Sequence, residues 1–533
     1  MRKKSGMSNF ISLSLALCLL ISVVISGCTP EPAKQEPAKQ EPQNDSKTAS
    51  SKYGGTMKII MSDTLTNLGY PAELRSNVTF YYNQPVLESL GRYDKEGNVL
   101  PFLAESWQSD PQNKTITIKI KPGIKFHDDT DLNAEAVKWN IEQYLTAKRP
   151  EVNGIQSVDV IDASTVRLNL AAWDSGLLEA VAYYVKMISP AAVAKNGKDW
   201  AILNPVGTGP FKFVSWEKDV SAKFKKNETY WQKGKPYLDA IEYTFIREIN
   251  TAANVFKTGG ADVLTQMDPD MFLELQKSGK YTTWTDDKAF GTVGIGLMFD
   301  TINPNSPFAN VKVRQAVIHA IDNEAIVKSV RRGLGFSTNQ WYKPGLWAHN
   351  PDVKGFPYDP DKAKQLLAEA GFPNGFKTKI TTDPARENLM TAVQSYLAKV
   401  GIDAQVVTVD SAKWTALTND KWDGMIMFFR AMAPSTLTTL NRVISKNATL
   451  YGKNILHPDK VEQLLADSRN APDFESSKKP LVELQKVLFE EYALAVPLIG
   501  LTTGVATQQK IQDLGNLTTN GNDWTPEEAW IKK

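Results

Sequence analysis

The residues with the most evident chemical potential are four histidines, His127, His319, His349 and His457, and none opens the His-Glu-x-x-His spacing that places two zinc ligands on one helix face. A serine nucleophile would need a Gly-x-Ser-x-Gly elbow, and none occurs. The turn Gly207-Thr208-Gly209-Pro210 lacks the Gly-Lys-Ser/Thr ending of a phosphate loop and reads as a tight backbone turn. Asp128, Asp129 and Asp131 have neither the glycine nor the distant glutamate of a calcium loop, so they read as a solvated turn. His319 falls in a helical apolar stripe region and reads as a structural or solvated histidine rather than a ligand. No metal ligand set or catalytic constellation is expected from these residues, and no cofactor.

Both cysteines lie near the amino terminus, Cys18 inside an apolar run and Cys28 just after it. Arg2-Lys3-Lys4 precede the run from Phe10 to Ile25, and Ser26-Gly27 supply the small residues a peptidase requires. A membrane span needs about 20 apolar residues, and this run is shorter, is interrupted by serines and lacks a basic stop. Ile25-Ser26-Gly27-Cys28 resembles the lipobox of a bacterial lipoprotein. That resemblance implies cleavage after residue 27, a diacylglycerol thioether on Cys28, and a protein held at the extracytoplasmic face of a membrane by two acyl chains. Loss of the leader removes three positive charges and no acid, which turns the formal net charge of +2 slightly negative and leaves no basic footprint for nucleic acid. It also leaves no free thiol for a nucleophile or a disulfide, so burial alone must stabilise the fold.

Residues 28–52 contain Glu-Pro-Ala-Lys-Gln twice and then a polar run rich in Ser and Thr, a composition that buries no core. At most this leash spans roughly 80 Å. Folded structure is expected from Tyr53, and about 480 residues commonly make two or more lobes.

The elements read as mixed α and β. Met57 to Met61 form a first strand. Ile116, Ile118 and Ile120, like Val166, Leu168 and Leu170, alternate with polar residues as half-buried strands do. Between them, Val137, Ile141, Tyr144 and Leu145 share a helical face behind an Asn133 cap. Further on, Val313, Ala316, Val317, Ala320 and Ile321 make a helical stripe. Asp359-Pro360 starts a helix through Ala363, Leu366, Leu367 and Ala370 that Gly371 ends. A helix over 391–400, stopped by Gly401, leads into a strand over 404–409. Helix followed by strand, repeated, is the pattern of an α/β lobe.

Several segments occur in an order that resembles family 5 extracellular solute-binding proteins, the receptors of ABC importers for peptides, nickel chelates and related solutes. They are Leu87-Glu88-Ser89-Leu90-Gly91-Arg92-Tyr93, Gly97-Asn98-Val99-Leu100-Pro101-Phe102-Leu103-Ala104-Glu105-Ser106-Trp107 and Gly123-Ile124-Lys125-Phe126-His127-Asp128. Then come Asn204-Pro205-Val206-Gly207-Thr208-Gly209-Pro210-Phe211, Asn227-Glu228-Thr229-Tyr230-Trp231, Val313-Arg314-Gln315-Ala316-Val317 and Ala363 to Phe372. The resemblance spans nearly all of residues 53–510. It implies an α/β, two-lobed hinged fold of the periplasmic-binding-protein type II-like class, in the larger peptide/nickel-binding form, with an extra α+β subdomain in lobe I. Lobe I would comprise residues 53–288 and 500–533, with residues 93–200 inserted, and lobe II residues 289–499. Solute would bind between the lobes of a monomer, and the importer's membrane subunits would read the closed form.

Peptide-binding members carry an aspartate for the peptide amine in a pattern like Gly-Trp-x-Ala-Asp after a lobe II strand. Here Gly424 to Phe429 is followed by Arg430-Ala431-Met432-Ala433-Pro434, which places Arg430 near the tryptophan position and Ala433 near the aspartate. An arginine there favours a carboxylate or phosphate, which a guanidinium holds bidentately. Arg386 matches an arginine-bearing stretch at the family's binding loop. Phe80, Tyr81 and Tyr82 align with a loop that brings lobe I side chains to the ligand, with packing between lobes as the competing role. Trp341 and Tyr342 sit in a Gly/Ser/Asn-rich loop, where large aromatics are expected to meet ligand or a lobe edge. The expectation is a non-enzymatic receptor for a small anionic solute, peptide-like or a metal chelate. Three readings stand beside it: a peptide receptor whose amine anchor has moved, a surface-anchored hydrolase, which would need paired carboxylates at a set separation, and a purely structural lipoprotein or signalling adaptor.

Overall fold

The computed structural model describes residues 52–61, 67–73, 82–265, 267–285, 293–431, 436–502, 504–515, 524 and 526–533. Cys28 and the leash lie outside the described residues. Among those described, no helix is long and apolar enough to cross a membrane.

Three sheets organise the chain. A seven-stranded sheet runs in the order Tyr281–Thr285, Gly504–Gln508, Val263–Leu264, Thr56–Met61, Ala240–Phe245, Ser221–Lys226 and Phe211–Glu217. A four-stranded antiparallel sheet, Ala104–Asp110, Thr115–Ile120, Thr165–Leu170 and Ile155–Asp162, lies within that sequence span. Ile116, Ile118, Ile120, Val166, Leu168 and Leu170 are buried along it, as their alternation predicts. Helix Ala134–Thr146 covers it, and the Asn133 side chain accepts from Ala136 N at 2.9 Å to cap that helix.

The six-stranded sheet runs Gly335–Ser337, Ala495–Leu501, Val293–Phe299, Met425–Ala431, Phe376–Thr382 and Ile402–Thr408. Two apolar clusters cover its faces. Met425 and Met427 enter one with Ile380 and Leu297, while Ile426 and Phe428 enter the other with Met298 and Leu440. Burial on both faces explains why Met425 to Phe429 reads as an unbroken apolar run rather than an alternating one. Gly296 is needed where strands meet: a Cβ there would lie 2.3 Å from Val496 O and 2.6 Å from the Phe428 ring.

The helix after Asp359 spans Pro360–Glu369 with the aspartate capping it. The helix expected from residue 391 begins earlier, at Glu387, because the 3-10 turn Pro384–Arg386 runs straight into it. The following strand is Ile402–Thr408, two residues ahead of expectation. The chain passes from the seven-stranded to the six-stranded sheet between Thr285 and Val293, and returns between Leu501 and Gly504.

Candidate functional site

In the six-stranded sheet, Phe376–Thr382 pairs in parallel with both Ile402–Thr408 and Met425–Ala431. The chain leaves the central strand of these three toward one neighbour and returns on the other side, a switch of strand order beyond whose carboxyl ends ligands commonly bind in α/β sheets. Each end contributes one part of a cluster.

After Thr382, Asp383 caps the 3-10 turn by accepting from Arg386 N at 3.0 Å, and its second oxygen accepts from Arg386 Nη1 at 2.7 Å. After Thr408, Asp410 accepts from Lys413 N at 2.8 Å and starts helix Ser411–Asn419, which holds Trp414 one turn in. At the end of the third strand, Phe429 emerges from between the two apolar layers with 40% of its surface exposed. Its ring stacks on Trp414 at 5.4 Å and 25°, and the Arg386 guanidinium carbon sits 4.4 Å from its centroid. Arg386 is 26% exposed, and Asp383 engages Nη1 alone. Such a surface offers aromatic faces to a planar or apolar group and guanidinium N–H groups to a carboxylate.

Arg430 extends this strand, its backbone paired with Gly294. Its side chain, the segment holding Ala433, and Phe80 and Tyr81 lie outside the described residues. Tyr82 is 1% exposed and packs edge-on against Tyr243 at 5.6 Å, within the core of the first sheet. Trp341 and Tyr342, expected to meet ligand or a lobe edge, are 3% and 2% exposed. Trp341 turns inward onto Phe428 at 5.6 Å and Phe489 at 5.3 Å, because a sheet covered on both faces needs large apolar groups in its second layer. A water-sized apolar hollow remains beside it, lined by Gly294, Ile295, Gln340, Phe428 and Pro497. Of the aromatic and arginine positions singled out in the sequence, only Arg386 has its described side chain in the cluster. Phe429 and Trp414 were missed. Their signal was the apolar strand that must end at a layer edge, and a tryptophan one turn after a capping aspartate.

The histidines hold backbone. His127 Nε2 donates to Gly209 O at 2.8 Å, His319 Nδ1 to Pro357 O at 2.8 Å and His349 Nδ1 to Tyr342 O at 2.8 Å, while His457 faces Ile444 O and Gly452 O. Burial, reinforced by the charge of Lys212, pulls His127 down to about 4. Asp128 accepts from Ser189 Oγ at 2.5 Å and from Thr130 Oγ1 at 2.6 Å. Among the described residues no three His, Cys, Asp or Glu side chains are grouped to hold a metal ion.

The ordered sequence segments converge elsewhere, on buried Glu88. It accepts from Tyr230 OH at 2.7 Å, Thr208 Oγ1 at 2.9 Å and Trp231 Nε1 at 3.0 Å. Arg92 lies 3.5 Å from it and bonds Glu527 at 2.7 Å. Burial raises the Glu88 pKa, opposed by Arg92 and by the Tyr230 and Trp231 donors. Arg314, from another of those segments, is also buried and donates to Tyr492 O at 2.6 Å and Phe308 O at 2.7 Å, its pKa lowered by burial to about 10.

Comparison with known proteins agrees with this architecture. Residues 98–449 match the model of bacterial extracellular solute-binding proteins, family 5 Middle. The chain is 31% identical over 417 residues to the glutathione-binding protein GsiB of Escherichia coli strain K12, covering 75% of this chain and 80% of the relative. Its fold is similar to DppA from Helicobacter pylori in complex with the peptide STSA, with TM-score 0.74, 24% identity and coverage of 91% and 99%. It is also similar to NikA from Brucella suis in complex with Fe(III)-EDTA, with TM-score 0.78, 24% identity and coverage of 89% and 100%. The chain belongs to the family 5 bacterial extracellular solute-binding proteins: it has their α/β periplasmic-binding-protein fold and is an importer's solute receptor, not an enzyme.

Proposed function

We propose that this family 5 receptor is anchored by lipid on Cys28, captures a small anionic, peptide-like solute between two lobes, and delivers it to the membrane subunits of an ABC importer. Lobe I, residues 53–288 and 500–533 with 93–200 inserted, is built on the seven-stranded sheet. Lobe II, residues 289–499, is built on the six-stranded sheet, whose strand Ala495–Leu501 runs two residues past that boundary. Having only two chain passages between these sheets supports a hinge there.

The observation that carries the choice of solute is Arg386 stacked on Phe429, itself stacked on Trp414, at the carboxyl ends of three parallel strands. A short peptide presents planar amides to the aromatic faces and a carboxylate to the guanidinium. The glutathione-binding relative supports the same chemistry, since glutathione is a small peptide bearing two carboxylates. An anionic metal chelate offers the same carboxylates and would need no protein ligand to the metal.

Calorimetric titration with glutathione, with free-amine dipeptides and with a ferric EDTA chelate tests the reading. Binding to carboxylate-bearing peptides that weakens roughly tenfold in Arg386→Gln supports it; equal affinities in wild type and variant reject it. Loss of peptide binding on amino acetylation would identify a relocated amine anchor. At 100-fold excess over the dissociation constant, the bound form gains about 2.7 kcal/mol, visible as a thermal shift. Cys28→Ser should release the protein from the membrane fraction, and retention there would contradict the anchor.

A further inference from the structure

The seven- and six-stranded bodies also touch far along the chain from the two passages that join them, through groups that belong to neither the Arg386 cluster nor the sheets. The first contact involves the turn Asp94 to Asn98. Asp94 stiffens this turn by accepting from Glu96 N at 2.9 Å and Asn98 N at 2.8 Å. Trp347 docks on the turn from the other body: its backbone N donates to Glu96 O at 3.0 Å and its Nε1 to Gly97 O at 2.9 Å. Lys478 Nζ adds a bond to Asn98 Oδ1 at 2.7 Å, and Phe474 meets the Trp347 ring edge-on at 5.6 Å.

The second contact involves residues 173–176, which follow the four-stranded sheet. Helix Asp459–Asn470 ends with carbonyls beyond its last full turn, of which Ser468 O accepts from its own cap, Ala471 N, at 3.2 Å. The opposite body supplies further donors: Ser175 Oγ donates to Ser468 O at 2.7 Å, Ser175 N to Arg469 O at 2.9 Å and Trp173 Nε1 to Ala471 O at 2.6 Å. One body thus caps a helix of the other. Gly176 permits the approach, since a Cβ there would lie 3.0 Å from Leu437.

We infer that these two contacts form a latch that holds the lobes closed without solute. The inference rests on the two-lobe reading above. All the partners are protein groups, so the contacts contribute to closure whether or not the cleft is filled, and they raise the closed share of the ligand-free receptor. Since apparent affinity scales with the fraction in the binding-competent state, the latch sets affinity for every solute alike, while the Arg386 cluster sets the choice among solutes.

Hydrogen exchange on the full chain, stripped of solute by unfolding and refolding, tests this without any ligand. The Ser175 and Trp347 amides bond across the interface, so both should be protected in the ligand-free wild type. Trp347→Phe removes the indole donor and keeps a ring; it should lower Ser175 protection roughly fivefold, and Trp347→Ala roughly tenfold or more. The Ile118 and Met427 amides, within the sheets, report that the variants remain folded. Unprotected Ser175 and Trp347 amides in the wild type, or Ser175 protection unchanged in both variants, would overturn the latch. With no solute present, such failure leaves the solute assignment untouched.

Discussion

Two arginines of this receptor stack on phenylalanine rings, and their surroundings differ. Arg92 lies 3.4 Å from the Phe102 centroid, with Glu527 and Glu88 as carboxylate neighbours whose side chains are almost fully buried. Arg386 lies 4.4 Å from Phe429, with one carboxylate partner and an exposed ring beneath it. The first stack is completed by protein: Tyr230, Trp231 and Thr208 donate to Glu88, and Glu527 ties the carboxyl-terminal segment to the network. Among the described residues the second leaves aromatic surface and guanidinium N–H groups uncovered, the surface proposed above to take the solute. Chemical type alone does not distinguish a structural arginine from a binding one; completeness of its shell does.

The difference is breakable in order of size. Arg92→Met would strand Glu88 and Glu527 in the core, and denaturant unfolding should show a loss of about 3–5 kcal/mol; a loss below about 1 kcal/mol would return Arg92 to the exposed class. Next comes the buried His127, whose folded pKa of about 4 lies below its ordinary 6.5. The unfolded chain takes up this proton first, so the stability contribution is full above pH 6.5 and falls as pH drops toward 4, by about 3 kcal/mol in all. Unfolding curves across that window should decline with acidity less steeply in His127→Gln. At the exposed stack the expected effects move from stability to binding. Trp414→Ala should cost about 2 kcal/mol of glutathione or dipeptide affinity, roughly 30-fold, together with a lower melting temperature because Trp414 also packs against the apolar cluster and Tyr451. Arg386→Gln should cost roughly tenfold for a carboxylate-bearing peptide and little for its amide, with stability altered by less than about 0.5 kcal/mol.

The same contrast explains what was legible in the sequence. Alternation at Ile116 to Ile120 and Val166 to Leu170 and the caps at Asn133 and Asp359 are local signals, and local physics fixes them. The ordered segments around Glu88, Thr208, Tyr230 and Arg314 identified the family because they build its buried polar core, and for that reason they are silent about solute. The cluster depended on three strand ends brought together by sheet order, which no single segment encodes. Arg386 was singled out through its loop, and its side chain lies on Phe429. The burial of Trp341 and Tyr342 was not legible, because a loop rich in small polar residues can fold its aromatics under a sheet whose second face needs cover.

The central claim, that the exposed stack is the solute's seat, is tested most directly by calorimetric titration of a carboxylate-bearing peptide such as glutathione into wild type and Phe429→Ala, with melting temperature measured alongside. The account predicts saturable binding to wild type and at least a tenfold weaker dissociation constant for a variant that melts within about 2 °C of it. Wild-type binding that Phe429→Ala leaves unchanged would place the solute elsewhere in the receptor.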